Sequence, residues 1–391
     1  MENNLLDSFV NELHKIEKQG NRRTLPLIIQ QGNHIQYEEK NGYNLSSNDY
    51  LDLATDLTLR EEFLQSVNSE NALFSENALF SASSSRLLTG NHVLYTQLEK
   101  RLSAMFGTES ALVFNSGYHM NTGILPAICH GRTLILADKW VHASLIDGIR
   151  LSTAQYFRYR HADYAHLEEL LAKHASRFER VIIVTESIFS MDGDCTDLGY
   201  LVRLKRRYSN VMLYVDEAHA MGVRGERGLG CAEEQGCIAD IDFLAGTFGK
   251  ALASLGGYLV CRRPIRDYLI NKMRTLLFTT ALPPINLLWS LFILERLDSF
   301  SDRRQQLRKN SILLKQQIIA KGYECCSQSH ILPIIIGDSN AVVLKAEDLQ
   351  QKGFYVLPIR PPTVPEGTSR IRISLTSGIT TSLIHQLAAS L

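Results

Sequence analysis

The sequence of 391 residues has no long apolar run and no excess of charge of either sign. Lys and Arg total 41, and Asp and Glu also total 41, so the chain lacks the basic surface of a protein that covers nucleic acid. Its most apolar stretch, Leu288 to Leu294, is too short to span a bilayer. The first residues show no basic start followed by an apolar run, so no signal peptide is expected. We therefore expect neither a nucleic-acid partner nor a membrane segment.

Cysteine usage argues against two further features. The seven cysteines form no CxxC pair, which argues against a structural zinc site, and no metal is expected. Their number is odd, and the adjacent Cys325 and Cys326 cannot pair with each other. This pattern favours a reduced protein in the cytoplasm. The composition, 45% hydrophobic and 21% charged, is typical of a globular chain.

Short apolar runs alternate with helical segments between residues 110 and 262. The runs are Ala111–Phe114, Thr133–Ala137, Arg180–Thr185, Val211–Val215, Phe243–Leu244 and Gly257–Val260. They are rich in β-branched residues, as strands buried on both faces are. The alternation predicts an α/β fold with a mostly parallel central sheet. Functional residues are expected just beyond the carboxyl ends of these strands.

The flanking segments predict smaller units. Residues 1–55 predict a helix ending near Gly20 and then an extended arm with a turn at Asn41-Gly42. Residues 56–285 are expected to form the large domain, and residues 286–391 a smaller α+β domain. Within the latter, residues 285–320 predict one long helix, and apolar runs at 331–336, 354–356 and 371–375 predict strands. The last run alternates polar and apolar residues, which predicts one solvent-exposed face.

A lysine follows one of the short apolar runs, in the segment Asp242–Lys250. A phosphate-binding P-loop would need Gly at position 244 and Ser or Thr at 251, but the chain has Leu244 and Ala251. The remaining chemistry for such a lysine is Schiff-base formation. Taken alone, a solvated lysine after a strand is the more common arrangement. The glycine-rich segment Gly222–Gly230 matches a dinucleotide motif poorly and favours a flexible loop.

Three other segments each allow a functional and an ordinary interpretation. Asp216 ends an apolar run and can hold a protonated pyridine nitrogen, with His219 bonding a phenolic oxygen, or it can cap the next turn. Gly117 and Tyr118 lie at a strand-to-helix turn, where backbone N–H groups can bind phosphate, but such turns are also common without a ligand. His142 follows a predicted strand and can stack on a ring or serve as a structural histidine.

The order of these features makes them more specific together than apart. A helix start, a histidine, a strand-end aspartate with its histidine and a lysine follow one another along the chain. Each serves one part of pyridoxal 5′-phosphate (PLP): the phosphate, the ring face, the ring nitrogen and the aldehyde. The separation of Asp216 from Lys250 leaves room for one helical crossover and the next strand.

With these residues the sequence resembles the α-oxoamine synthases, within the fold-type I PLP-dependent transferases. The resemblance covers about residues 20 to 385. It is carried by Asn44–Leu51, Ser85–Asn91, Asp216–His219, Thr247–Lys250, Phe278–Pro284, Arg360–Pro365 and Arg370–Arg372. The stretch from Arg360 to Thr376 is most similar to the 8-amino-7-oxononanoate synthase branch, which serves biotin synthesis.

The resemblance implies a role for each candidate residue. Lys250 holds the cofactor and acts as the base, Asp216 keeps the ring nitrogen protonated, His142 stacks on the ring, and His219 bonds the phenolic oxygen with Ser190 nearby. The remaining cofactor contacts are Gly117, Tyr118, Thr247, Thr279 and Thr280. The last two reach the cofactor of a neighbouring subunit, which implies a homodimer. Arg22 or Arg23, Asn48, Thr363 and Arg372 contact substrate, and Arg370 is expected to be a solvated neighbour.

The implied reaction is a decarboxylative condensation of L-alanine with a pimeloyl thioester, carried on coenzyme A or on a carrier protein. A sister acyltransferase that uses glycine, such as glycine C-acetyltransferase, is the alternative. A non-catalytic scaffold is disfavoured because Lys250, Asp216 and His219 are all present.

Two departures from the family lie side by side. Ser81–Ser85 stands where the family has glycines, and Ser69–Phe74 is repeated directly before it, as Ser75–Phe80, within a helix predicted at about 60–80. A single six-residue repeat is too short for a solenoid. The family's loop lies near the acyl-binding side, so acyl preference can differ here.

Overall fold

The computed structural model describes residues 5–37, 40–68 and 80–391. The strands are β1 (Ile28–Gln31), β2 (His34–Tyr37), β3 (Lys40–Asn44), β4 (Ser110–Phe114), β5 (Thr133–Asp138), β6 (Gln155–Tyr159), β7 (Arg180–Glu186), β8 (Val211–Asp216), β9 (Phe243–Thr247), β10 (Gly257–Cys261), β11 (Ile331–Gly337), β12 (Phe354–Tyr355), β13 (Pro358–Ile359) and β14 (Ser369–Ser374). The helices are α1 (Asp7–Lys18), α2 (Leu57–Asn68), α3 (Val93–Phe106), α4 (Gly117–Ile128), α5 (Ala143–Leu151), α6 (Tyr164–His174), α7 (Leu198–Lys205), α8 (Cys231–Glu234), α9 (Arg263–Lys272), α10 (Arg274–Leu277), α11 (Pro284–Glu295), α12 (Ser301–Ala320), α13 (Ser339–Gln351) and α14 (Thr381–Ser390).

The described chain forms two compact units. The first comprises the described parts of Met1–Ser47, with Met191–Gly193 and Gln306–Leu391, and the second comprises the described parts of Asn48–Ser190 with Asp194–Gln305. The division expected from the sequence, at residues 55/56 and 285/286, stays a prediction. Among the described residues, every helix is too short or too polar to cross a bilayer.

The second unit is built on a seven-stranded sheet in the order β4-β10-β9-β8-β7-β5-β6. Strands β6, β5, β7, β8 and β9 pair in parallel, and β10 runs antiparallel to both β9 and β4. This confirms the α/β fold with a mostly parallel central sheet. All six apolar runs form strands. The edge strand β6 was not predicted, because most of its residues are exposed and its sequence lacks the aliphatic run of a strand buried on both faces.

Parallel pairing brings four polar residues to one edge of this sheet. Strands β5, β7, β8 and β9 end at Asp138, Glu186, Asp216 and Thr247. Glu186 is the register partner of Asp216, and the strands behind these residues are almost entirely buried. A rigid apolar sheet therefore fixes the positions of the polar groups at its carboxyl edge.

The first unit contains two small sheets, ordered β1-β2-β3-β12 and β11-β14-β13. The turn predicted at Asn41-Gly42 is wrong, since both residues lie inside β3. The chain reverses between β1 and β2 at Gly32, whose φ of +59° is accessible to glycine without strain. Strands β2 and β3 are also antiparallel, with Tyr37 opposite Lys40.

Two further expectations are corrected. The single helix predicted at 285–320 is two helices, α11 and α12, separated by a 3₁₀ turn at Leu297–Phe300. Leu297 and Phe300 are both buried, and their spacing of three residues matches the 3₁₀ period. The exposed face predicted for β14 is also wrong, because Arg370 and Ser374 are buried and only Arg372 is partly exposed. The duplicated segment lies almost entirely outside the described residues.

Candidate active site

A row of hydrogen bonds joins Lys250 to the N-terminal end of the second unit. The Lys250 Nζ lies 2.8 Å from His219 Nε2, and His219 Nδ1 lies 2.6 Å from the hydroxyl oxygen of Tyr50. That hydroxyl in turn donates to Asn48 Oδ1 at 3.0 Å. A lysine ammonium can only donate, so Nε2 accepts and His219 carries its proton on Nδ1. The side chains of His219 and Tyr50 are buried, so water has little access to these bonds.

Asp216 presents an oriented carboxylate at the end of β8. Its Oδ1 accepts the backbone N–H of Ala218 at 2.9 Å, and its Oδ2 accepts from Asn121 Nδ2 at 2.8 Å. Burial, and then the negative charge of Asp216, raise the pKa of the adjacent Glu186 well above its usual value. Both causes disfavour a second negative charge beside Asp216.

His142 caps the start of α5 with its ring. Its Nδ1 accepts the backbone N–H of Ser144 at 3.2 Å and lies 2.8 Å from the Ser144 hydroxyl oxygen. Part of the side chain is open to solvent, but desolvation by the surrounding protein lowers the pKa of His142. A neutral imidazole with an accessible side chain suits stacking on an aromatic ring.

The start of α4 faces Thr247 across a small gap. Ser116 caps this helix by accepting the N–H of His119 at 3.1 Å. A Cβ built on Gly117 would stand 3.8 Å from Thr247 Cβ and 3.9 Å from its Oγ1, so Gly117 keeps the space beside the hydroxyl clear. The free N–H groups of a helix start next to a hydroxyl make a good phosphate cradle. The residues present therefore fit three parts of PLP: Gly117 and Thr247 fit the phosphate, Asp216 fits the ring nitrogen, and Lys250 fits the aldehyde.

The other predicted cofactor residues are partly or largely exposed. Tyr118 is half exposed and donates to Asp147 at 2.5 Å. Ser190 lies beyond the end of β7 and is partly exposed. The Thr280 carbonyl accepts from Asn115 of the same chain, and Thr279 is partly buried beside it. Whether Thr279 and Thr280 reach a partner's cofactor stays a prediction.

Four of the predicted substrate residues lie in the first unit, whereas Asn48 lies in the second. Arg22 pairs with Glu17 of α1 at 3.0 Å, whereas Arg23 donates to the Thr363 hydroxyl at 2.8 Å. The structure therefore associates Arg23, and not Arg22, with Thr363. Arg372 lies in the middle of β14, where its register partner is Pro333 of β11.

Sequence reasoning missed several residues of the site. Tyr50 lies within the Asn44–Leu51 segment that carried the resemblance, and an aromatic residue within a polar stretch was the available signal. Asn121 lies four residues after Gly117, one turn into α4, and nothing in its local pattern indicates a function. Tyr214 lies within the predicted buried run Val211–Val215, where a functional side chain was not expected. Glu186 directly follows the predicted run Arg180–Thr185, a position where a functional residue was expected, but no role was assigned to it.

The family model described as "Aminotransferase class I and II" matches residues 40–391. A relative from Glaesserella parasuis serovar 5 (strain SH0165), named "Putative 8-amino-7-oxononanoate synthase", is 53% identical over 387 residues, with 99% of this chain and 100% of the relative covered. A serine palmitoyltransferase variant from S. paucimobilis, solved with a bound PLP–myriocin aldimine, superposes with a TM-score of 0.88 at 26% identity, with 99% of this chain and 97% of that chain covered. The 8-amino-7-oxononanoate synthase of Francisella tularensis superposes with a TM-score of 0.75 at 27% identity, with 89% and 96% covered. This chain therefore belongs to the aminotransferase class I and II family, and within it to the α-oxoamine synthases.

Proposed function

We propose that this chain, a PLP-dependent acyltransferase of the α-oxoamine synthase type, condenses L-alanine with a pimeloyl thioester. The products are 8-amino-7-oxononanoate, CO₂ and the free thiol carrier, which places the chain in biotin synthesis. The observation that carries the proposal is the directed row from Lys250 through His219 to Tyr50, in the same unit as the oriented carboxylate of Asp216. The names of the relatives at about half identity support the choice of substrates.

When bound, PLP supplies a ring that withdraws electrons from the α-carbon of the amino acid. Asp216 holds a proton on the ring nitrogen, since an ionised carboxylate with two fixed hydrogen bonds is a stable counter-ion. Gly117 and Thr247 hold the phosphate. Lys250 removes the α-proton of L-alanine as a general base and later returns a proton to the product. His219 orients the Lys250 amine, because its Nε2 is held as an acceptor.

The arginines of the first unit match the two carboxylates that the proposed substrates carry, one on L-alanine and one on the pimeloyl chain. Arg372 offers a planar, bidentate match for the carboxylate of L-alanine. Burial, and then the charge of Arg23, lower the pKa of Arg360, so two guanidinium groups lie close enough to repel. An anion between them relieves that repulsion, and a pimeloyl chain ends in a carboxylate at its far end. Arg23, Arg360 and Thr363 are thus our choice for the acyl-chain terminus.

We also propose a homodimer. The bridge between Ser85 and Thr280 sets two chain segments side by side, and their apolar side chains are exposed, with Leu87 at 59%, Leu88 at 75% and Phe278 at 67%. We call these three side chains the apolar patch. Large apolar groups gathered on a surface are typical of an interface, and a second copy covering the patch would place Thr279 and Thr280 at the subunit boundary. All seven cysteines are reduced, which supports a reducing compartment such as the cytoplasm.

The proposed substrates are tested by titration and product analysis. The purified holoenzyme is titrated with L-alanine, glycine and L-serine while the cofactor absorbance is followed. Each amino acid is then incubated with pimeloyl-coenzyme A, pimeloyl-carrier protein, acetyl-coenzyme A or palmitoyl-coenzyme A. We expect condensation with L-alanine and a pimeloyl thioester only. Efficient acetyl transfer to glycine, or palmitoyl transfer to serine, would contradict the substrate assignment.

A further inference from the structure

A single buried amide, that of Asn121 on α4, links two side chains at the candidate cofactor site. Its Nδ2 donates to Asp216 Oδ2 at 2.8 Å and to the Ser144 hydroxyl oxygen at 2.9 Å. Its Oδ1 accepts from the hydroxyl of Tyr214 at 2.6 Å. Asn121 is 2% exposed and Ser144 1% exposed, so water does not compete for these bonds.

The hydrogen-bond inventory allows only one orientation of this amide. The amide has two N–H groups, both used, and its oxygen is occupied by Tyr214. Burial raises the pKa of Tyr214 well above its usual value, so its hydroxyl keeps the proton that it donates. A rotated amide would direct Oδ1 at the Asp216 carboxylate, where two acceptors would face each other. Tyr214 therefore locks the Asn121 donors onto their partners.

The second donor of Asn121 reaches His142 through Ser144. The Ser144 oxygen accepts from Asn121, so its own proton is directed at His142 Nδ1, 2.8 Å away. That nitrogen also accepts the Ser144 backbone N–H, which leaves the ring proton on Nε2. The arrangement depends on close approach of α4 and α5. A Cβ on Gly148 of α5 would stand 2.4 Å from the Asn121 carbonyl oxygen, so glycine is needed there.

We propose that Asn121 is a positioning residue that aligns the Asp216 carboxylate and, through Ser144, the His142 ring on the two parts of PLP that they contact. This inference rests on the proposed cofactor binding and adds a residue to it. Without the amide, Asp216 loses a charge-assisted hydrogen bond and His142 loses the group that fixes its ring. The cofactor is then held more weakly and in a less uniform orientation.

The test compares Asn121→Leu with Asn310→Leu in the purified holoenzyme. Asn310 is a matched control in the first unit, since it is 1% exposed, accepts from Gln306 and donates to the Ile379 carbonyl. The dissociation constant of PLP, the circular dichroism of the bound cofactor's absorption band and the melting temperature are measured for each protein. We expect Asn121→Leu to raise the dissociation constant about tenfold and to weaken the dichroism per bound cofactor. Asn310→Leu is expected to lower only the melting temperature.

Tyr214→Phe serves as the milder variant if Asn121→Leu does not fold. It removes only the hydroxyl that locks the amide, and we expect a dissociation constant about threefold above that of the wild type. Wild-type cofactor binding in Asn121→Leu, or in Tyr214→Phe where that variant alone folds, would overturn the proposal. An equal cofactor defect in Asn310→Leu would do the same. A wild-type protein that shows no cofactor band would overturn the proposed function itself, which separates the two failures.

Discussion

At the scale of single residues, Lys250 has a role that a substitution can isolate. Lys250→Ala removes the only amine in the row of bonds with His219, so we expect turnover to fall by at least about a thousandfold. The phosphate cradle and Asp216 remain, so PLP should still bind in the purified variant. Product formation and cofactor absorbance are measured together. Lys272→Ala, an exposed lysine of α9, is the control, and turnover in Lys250→Ala equal to that of this control would exclude Lys250 as the base.

The two arginines of β14 should behave in opposite ways. Arg372→Ala removes the bidentate partner of the L-alanine carboxylate and should cost about 2–4 kcal/mol of transition-state binding, seen as a higher KM for L-alanine. PLP affinity should change little. Steady-state kinetics across a range of L-alanine concentrations measures this effect. Arg308→Ala, an exposed arginine of α12, should leave KM unchanged, and an equal rise in both variants would refute the assignment.

Arg370 is instead a structural residue, contrary to the expectation that it is solvated. It is 4% exposed and forms an ion pair with the buried Asp192. Arg370→Ala leaves a buried carboxylate without its partner and should lower the free energy of unfolding by about 3–5 kcal/mol. Urea denaturation measures the loss. The double variant Arg370→Met with Asp192→Leu should recover part of it, because no unpaired charge remains. No recovery would mean that the ion pair is not the cause.

At the scale of elements, the strands that carry the site were predictable and their side-chain networks were not. Strands β5, β7, β8 and β9 are apolar because both their faces are buried, so their ends could be located from composition. Asp216 and Lys250 follow from those ends. Asn121 and Tyr50 depend instead on which helix or loop packs against the sheet edge, and that is a tertiary property. The burial of Arg370 likewise depends on Asp192, a partner distant in sequence.

A charge cluster at and beyond the carboxyl ends of β5, β6 and β7 contributes to stability in a way that depends on pH. His161 Nδ1 lies 2.9 Å from Asp138 Oδ1, and its Nε2 lies 2.9 Å from Asp194 Oδ2. The ring also stacks on Trp140 at a centroid distance of 3.8 Å. Both ring nitrogens face carboxylates, so both must donate. Burial alone lowers the pKa of His161, but the hydrogen bonds to Asp138 and Asp194 outweigh it and raise the pKa to about 9.

When folding raises the pKa of a histidine, protonation of that histidine stabilises the folded protein. The stabilisation is complete below the pKa that the histidine has in the unfolded chain, and it is lost as pH rises to the pKa in the folded protein. We therefore expect His161→Gln to lower the free energy of unfolding by about 2–3 kcal/mol at pH 6, allowing for partial exposure to water. The difference from the wild type should shrink as pH rises from about 6.5 to about 9 and should be nearly gone above that. Denaturation at several pH values measures it. His130→Gln, at an exposed position, should show no such trend, and a difference for His161→Gln that is constant with pH would contradict the ion-pair explanation.

At the scale of the whole molecule, the apolar patch of Leu87, Leu88 and Phe278 connects assembly with activity. In a twofold symmetric dimer each substitution acts twice, because both subunits present the same surface. Leu88→Glu should therefore weaken dimerisation by about a hundredfold or more, through lost apolar burial and two buried charges. The same change should reduce the bound PLP, since Thr279 and Thr280 flank the patch and are proposed to contact the partner's cofactor.

Sedimentation velocity over a range of protein concentrations measures the dimer, and absorbance measures the cofactor. Leu344→Glu is the matched control, because Leu344 of α13 is 66% exposed and lies in the first unit. Its sedimentation, cofactor content and turnover should match the wild type. If Leu88→Glu sediments as a monomer with full turnover, the active site is complete within one chain and Thr279 and Thr280 do not serve a partner. If it remains a dimer, the apolar patch is not the interface. Monomers that regain turnover as protein concentration rises would instead confirm that the site is completed by a second subunit.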